Sequence, residues 1–228
     1  MRAEIIAIGS ELLGSTKIDT NSLFLTQRLA SLGIEVTGKT VVGDDRQHLE
    51  SAIRGALGRA GLVITTGGLG PTRDDVTREA AAAVTGRPLL LNDEILQTLE
   101  ARYRDRGMAF LENNRCQAYM LAGAEPIPNG PGAAPGAYLE LEGAVLVMLP
   151  GVPREMSYMV DHFLMDRLRQ MDGLNLRQEW TINLCGIPES VVDHGLKDMD
   201  FEAAGVRYTI LANMRRVQIT LSSTDGNE

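Results

Sequence analysis

The run Thr65-Thr66-Gly67-Gly68-Leu69-Gly70-Pro71-Thr72-Arg73-Asp74-Asp75-Val76-Thr77 carries the strongest chemical signal in this chain. Glycines let backbone N–H groups approach a phosphate closely, and the N-terminus of a following helix adds positive potential. A tight strand-to-helix turn needs glycine only for a positive φ. Three glycines with two threonines and an arginine exceed that need. Thr66, Gly67, Gly68, Gly70 and Arg73 are therefore read as a candidate anion-binding loop for a nucleotide-like diphosphate. Asp74 and Asp75 follow at once. An acid at the head of a helix is favoured by the helix dipole, which would account for one of them. Two adjacent acids beside a phosphate repel it unless a cation lies between. A hard divalent ion, held by carboxylates and by the ligand's own phosphates, satisfies that requirement.

Further candidates follow other strand-like runs. Ser10 and Glu11 come directly after the apolar run Glu4–Ile8, and Asp44-Asp45 after Ile34–Val42. Asp45 reads equally well as a helix cap. In Asp19-Thr20-Asn21, Asp19 reads as a cap and Asn21 as a candidate ligand contact. In Leu149-Pro150-Gly151-Val152-Pro153-Arg154-Glu155, a strand again ends in a Gly/Pro turn, and Glu155 falls in the first turn of the next helix. The stretch Pro126–Gly136, which holds Asn129 and Gly136, is dense in Pro and Gly. It is either a linker or a ligand-facing loop, and apolar structure resumes on both sides of it.

The elements that must position these residues alternate. Strand patterns at Glu4–Ile8, Ile34–Val42 and Leu62–Thr66 are separated by helical patterns. The first helix runs through Leu23, Leu29 and Leu32 to Gly33, and the second places Leu49, Ile53 and Leu57 on one face. A third helix is expected over Asp74–Val84, closed by Gly86, and a fourth over Asp93–Arg106. Ala137–Leu141 and Ala144–Leu149 read as a strand pair around Glu142-Gly143, followed by a helix over Pro153–Met171. The order implies an α/β fold with a mostly parallel sheet covered by helices on both faces, its ligand at the carboxyl ends of the strands. The pattern changes after Asp172: Trp180–Leu184 is strand-like, Pro188–Met199 helical, and Val206–Ser222 strand-like with a break near Asn213. This gives two expected domains, 1–171 and a small α+β domain at 172–228.

Composition narrows the function. Hydrophobic residues are 44% of the chain and the net charge is -8, so a packed acidic protein is expected, without a nucleic-acid or membrane surface. No apolar run is long enough to span a bilayer. The first strand carries an early glutamate and is no signal peptide. Two cysteines, without a CxxC pair, and three histidines without ligand spacing argue against a zinc site or disulfide framework. A reducing, cytoplasmic compartment is expected.

Taken in order, Ile-Gly-Ser-Glu-Leu-Leu-Gly, Asp-Thr-Asn-Ser, Val-Val-Gly-Asp-Asp, the glycine loop, Asn-Gly-Pro-Gly-Ala-Ala-Pro-Gly and Leu-Pro-Gly-Val-Pro-Arg-Glu-Met resemble the competence/damage-inducible CinA family. Residues up to about 170 also resemble the wider molybdopterin-binding domain family. The resemblance implies a three-layer α/β/α domain with ADP-ribose pyrophosphatase activity. By motif position it puts magnesium on Asp44 and Asp75, with Asp74 and Glu155 as further acids. The general base stays open between a carboxylate and a metal-bound hydroxide. From about Leu176 the chain resembles the small KH-like domain of the family. It has no GxxG there, so RNA binding is not expected. Family members continue into a nicotinamide-nucleotide amidase domain, so deamidase activity is not expected from these 228 residues. A homodimer is implied as well. Two other readings stand beside hydrolysis: a molybdopterin-handling or adenylyl-transferring protein, and a non-catalytic nucleotide-binding module.

Overall fold

The structure is a computed structural model and describes residues 1–171, 179–213 and 216–223. It divides into two compact units, Met1–Leu29 with Ile34–Asp172, and Ala30–Gly33 with Gly173–Glu228. The expected boundary at 172, the start near Leu176 and the polar tail Thr224–Glu228 lie outside the described residues.

The first unit is built on β1 (Arg2–Ile8), β2 (Glu35–Val42), β3 (Leu62–Thr66) and later strands, separated by α1 (Thr20–Ala30) and α2 (Arg46–Leu57). After β3 come α3 (Thr77–Thr85), β4 (Leu89–Leu91), α4 (Asp93–Asp105), β5 (Tyr119–Leu121) and β6 (Glu125–Ile127). β7 (Gly136–Leu141), β8 (Ala144–Leu149) and a long helix complete it. The six-stranded sheet has the order β2-β1-β3-β8-β7-β6. β2, β1, β3 and β8 run parallel, and β7 turns back antiparallel to β8. The central strand β3 is buried along its whole length, the apolar Leu62-Val63-Ile64 and the polar Thr65-Thr66 alike, as expected of a strand covered on both faces. On one face Ile6, Val63, Leu146 and Met148 pack with Leu49 and Ile53 of α2 and Ala80 and Ala81 of α3. Side chains of opposite parity, Ile5, Ile64 and Val147, are equally buried on the other face. The α/β/α layering matches the expectation.

Three details differ from the sequence reading. α3 starts at Thr77 rather than Asp74. Its first N–H and its hydroxyl are already committed to the glycine loop, donating to Gly68 O and Gly67 O, so Asp74 and Asp75 stay in a preceding turn. Leu23 faces outward, and α1 buries Leu25 and Leu29 with the polar Asn21 and Ser22 instead. The last helix is continuous but not uniform: α5 (Pro153–Met159) passes through a π-helical turn, Val160–Leu164, into α6 (Met165–Arg169).

The second unit, taken by itself, holds β9 (Glu179–Cys185), α7 (Glu189–Leu196), β10 (Val206–Asn213) and β11 (Arg216–Ser223). Its antiparallel sheet has the order β10-β11-β9. Ile219 lies opposite Ile182 on one side and Ile210 on the other. Val217 and Ile219 form its core with Val192 of α7.

Candidate functional site

All four parallel strands end on one edge. β1 runs into Gly9-Ser10-Glu11, β2 into Asp44, β3 into the glycine loop and β8 into Pro150-Gly151. Their loops and the first turn of α5 line a cleft of about 660 Å³, within the range of small-molecule sites. Of the residues singled out by sequence, Glu11, Asn21, Asp44, Thr66, Gly67, Gly68, Gly70, Asp74, Asp75 and Glu155 line it.

The glycine loop is held from several directions. Gly67 (φ 114°) and Gly68 (φ 65°) both need the left-handed half of backbone space. A side chain on Gly67 would overlap the Ile8 carbonyl, and one on Gly68 the Thr77 hydroxyl. The Gly67 N–H donates to Leu149 O at 2.9 Å, so this residue shapes the loop rather than offering a donor to a ligand. Among the described residues, no internal acceptor takes the N–H groups of Gly68, Leu69 or Gly70. These are the free donors of the loop.

The two central acids come from different loops. Asp44 Oδ2 accepts from the Ser10 N–H at 2.8 Å, and the Ser10 hydroxyl accepts from the Asp44 N–H at 3.1 Å. Ser10 thus positions Asp44 and is itself outside the cleft lining. Asp45 caps α2, accepting from the His48 N–H at 2.9 Å. Asp75 Oδ2 accepts from the Thr72 N–H at 2.9 Å and from the Thr72 hydroxyl. In both Asp44 and Asp75, Oδ1 carries no hydrogen bond within the described residues. The Thr72 hydroxyl also acts on the fully exposed Asp74. Together with the Asp74 backbone N–H, it holds that carboxyl below the ordinary aspartate range.

Glu155 enters from the far side. Its Oε2 accepts from Asn129 Nδ2 at 2.6 Å. Asn129 is buried outside the cleft lining. Its Nδ2 also donates to Ala134 O at 2.8 Å, while its Oδ1 accepts from the Gly132 N–H at 2.7 Å. Its sequence-based assignment as a ligand contact is therefore corrected: it holds Glu155 and folds the Pro/Gly stretch. Gly136 is likewise structural, because a side chain there would meet the Met148 carbonyl within the sheet. Arg73 is exposed and is not part of the cleft lining.

The buried cation of the site is another arginine. Arg78 lies in the first turn of α3 and donates to Leu69 O at 2.8 Å, bracing the glycine loop from beneath. Burial pushes its pKa down, opposed by the acidic groups of Cys116, Glu79 and Asp75. Lys17 and Gln117 line the cleft, whereas Arg78 is not part of its lining. The Lys17 ammonium lies 3.3 Å from Glu11 Oε1. Sequence reading passed over all three. Nothing in a lone Arg, Lys or Gln outside a glycine motif separates it from a surface residue.

Among the described residues, no helix is long and apolar enough to cross a membrane, and both cysteines are free thiols.

Residues 4–170 match the family described as "Probable molybdopterin binding domain". A crystal structure of the protein CinA from Thermoplasma acidophilum, titled as of unknown function, is 34% identical with a TM-score of 0.67. The match covers 72% of this chain and 96% of that one. The chain belongs to the CinA-like family. A CinA-like protein of Solibacter usitatus is 42% identical over 97% of this chain and 53% of its own length. Another from Dictyoglomus thermophilum is 40% identical over 87% of this chain and 48% of its own length. The chain thus spans about half the length of the curated relatives it matches.

Proposed function

We propose that the first unit hydrolyses the diphosphate of ADP-ribose to AMP and ribose 5-phosphate with the help of magnesium. The observation that carries this reading is that one cleft is lined both by Gly68, Leu69 and Gly70, whose N–H groups have no internal acceptor among the described residues, and by Asp44 and Asp75, each with one carboxylate oxygen free of hydrogen bonds among them. Donors alone would suit any anion. Carboxylates facing the same space suit an anion that arrives with a cation.

Asp44 and Asp75 would hold that cation. Among the described residues, no three His, Cys, Asp or Glu side chains converge on a common point. A magnesium ion completed by ligand phosphates needs only one or two carboxylates. When bound, it would neutralise the diphosphate and make phosphorus more electrophilic. The loop N–H groups bind and orient the phosphate oxygens and stabilise the charge that develops on them. Arg78 fixes the loop that carries these donors. Glu155, its Oε2 held by Asn129, accepts the proton of the attacking water as the anhydride P–O bond breaks.

The family description favours a second reading, a pterin ligand in the same cleft. The test is incubation of the purified chain with ADP-ribose and magnesium, with AMP and ribose 5-phosphate followed chromatographically. Equal formation of both products, stopped by a chelator, is the expected result. Tight ADP-ribose binding without AMP would leave a non-catalytic module. Adenylylation of added molybdopterin by ATP would favour the second reading.

A further inference from the structure

The lining of the cleft is acidic. Among the described residues it holds six carboxylates, those of Glu11, Asp19, Asp44, Asp74, Asp75 and Glu155, and one cation, Lys17. Arg73 and Arg78 are outside it. An anion site lined in this way repels its own ligand unless positive charge offsets the acids. A divalent ion held by carboxylates would offset part of that charge. Lys17 is the one side chain of the lining that can add to it.

The Lys17 ammonium lies 3.3 Å from Glu11 Oε1, and the two side chains are 63% and 51% exposed. Both are therefore open to a ligand. The pair sits beside the glycine loop. A side chain on Gly9 would overlap the Glu11 carboxylate, so that carboxylate lies against the residue following Ile8. The Ile8 carbonyl is in turn the group that packs on Gly67, the first glycine of the loop. An ion pair this exposed contributes little to stability. The backbone around Lys17 is not tied down either. The Gly14 N–H donates to Glu11 O at 3.4 Å, but among the described residues no backbone hydrogen bond is made by residues 15–18, which lead into α1.

A lysine ammonium is a compact point charge on a flexible stem, so it can exchange one oxyanion for another. A diphosphate carries more charge than a carboxylate and attracts it more strongly. We infer that Lys17 is the side-chain phosphate contact of the cleft, and that Glu11 competes with the ligand for its ammonium. Glu11 thereby sets how tightly the diphosphate is held. This inference rests on the diphosphate reading of the same cleft. It assigns Lys17 to binding and gives it no share in bond breaking.

The experiment is calorimetric titration, in magnesium buffer, with an ADP-ribose analogue whose two phosphorus atoms are bridged by methylene, which prevents turnover. Lys17→Met, which keeps the stem and removes the charge, should weaken binding about tenfold or more, and Lys17→Arg should restore most of it. Glu11→Gln should tighten binding several-fold. The gain should be smaller when Lys17→Met is already present, because no ammonium is then released. Affinity unchanged by Lys17→Met would overturn the inference, and so would an equal gain from Glu11→Gln in both backgrounds. A loss in Lys17→Arg as large as in Lys17→Met would also overturn it, by showing that shape rather than charge matters. No binding by wild-type protein would remove the diphosphate reading, and this inference with it. The expected binding pattern without AMP release from ADP-ribose would keep Lys17 and remove the hydrolase.

Discussion

The chain has two glycine-rich loops on the same edge of one sheet, and they do opposite things with their glycines. In the loop after β3, Gly67 and Gly68 adopt positive φ, and the N–H groups of Gly68, Leu69 and Gly70, all in the cleft lining, are left without an internal acceptor among the described residues. In the Pro126–Gly136 stretch, Gly130, Gly132 and Gly136 all keep ordinary negative-side backbone angles. There the missing side chains make room for other groups. A Cβ on Gly130 would collide with the Tyr158 ring, and one on Gly132 with the Glu155 carboxylate. The first loop uses glycine for backbone shape, the second for space. Composition alone does not distinguish the two, because both uses produce the same letters.

Breaking the comparison starts with the glycines. Gly67→Ala forces a Cβ into a positive φ and against a backbone carbonyl that cannot yield. It should cost about 3 kcal/mol or more of stability, read as a large drop in the denaturant midpoint. Gly132→Ala meets a movable carboxylate instead. It should unfold at nearly the wild-type denaturant concentration while losing turnover of ADP-ribose. Equal stability loss in the two variants would erase the distinction.

The acids come next in size. Asp75→Asn should lower turnover of ADP-ribose by more than about 100-fold, since a neutral amide is a poor partner for a hard divalent ion. The fold should survive, because the amide oxygen still accepts from the Thr72 N–H, and a thermal melt should show a change of about 1 kcal/mol or less. Asp74→Asn should cost far less, the side chain being fully exposed. A magnesium titration of both variants checks the assignment, and a reversed order of losses would move the cation to Asp74.

Asn129 tests the second loop. Its side chain ties Gly132, Ala134 and Glu155 together. Asn129→Ala should lower kcat about tenfold through a misplaced Glu155 while KM for ADP-ribose changes little. A rise in KM at constant kcat would make Asn129 a ligand contact after all.

The parts legible in the sequence are those written in local periodicity and turn chemistry. The apolar run Leu62–Ile64 leading into Thr65-Thr66 announces a buried strand, Gly86 a helix end in the left-handed conformation, and Glu142-Gly143 a hairpin. Motifs at strand ends put Asp44, Asp75 and Glu155 at one cleft, since parallel strands share a carboxyl edge. Contacts between residues distant in sequence were not legible. Arg78 under Leu69, Gln117 beside the loop and Asn129 behind Glu155 depend on how segments pack, which no window of residues encodes. The short strands β4, β5 and β6 were missed for the same reason: three residues hold no period.

The smallest effect sharpens the first loop itself. Asp74 is solvent-exposed, so burial does not explain why its carboxyl is held below the ordinary range; the Thr72 hydroxyl and its own backbone N–H do. These donors favour the charged form, and removing one must move the midpoint upward. The sign for stability follows. A depressed carboxyl contributes in full above the unfolded pKa and loses that contribution as pH falls through the folded value, so near neutral pH the contribution is complete and does not vary with pH. Thr72→Val should therefore raise the Asp74 midpoint in a side-chain NMR titration of the folded protein, while the protein remains folded at pH 7. The Thr72 backbone N–H still bonds Asp75 in that variant, so the turn should persist. An unchanged Asp74 midpoint would mean that the Thr72 hydroxyl serves Asp75 alone, leaving the backbone N–H as the donor that holds Asp74 low.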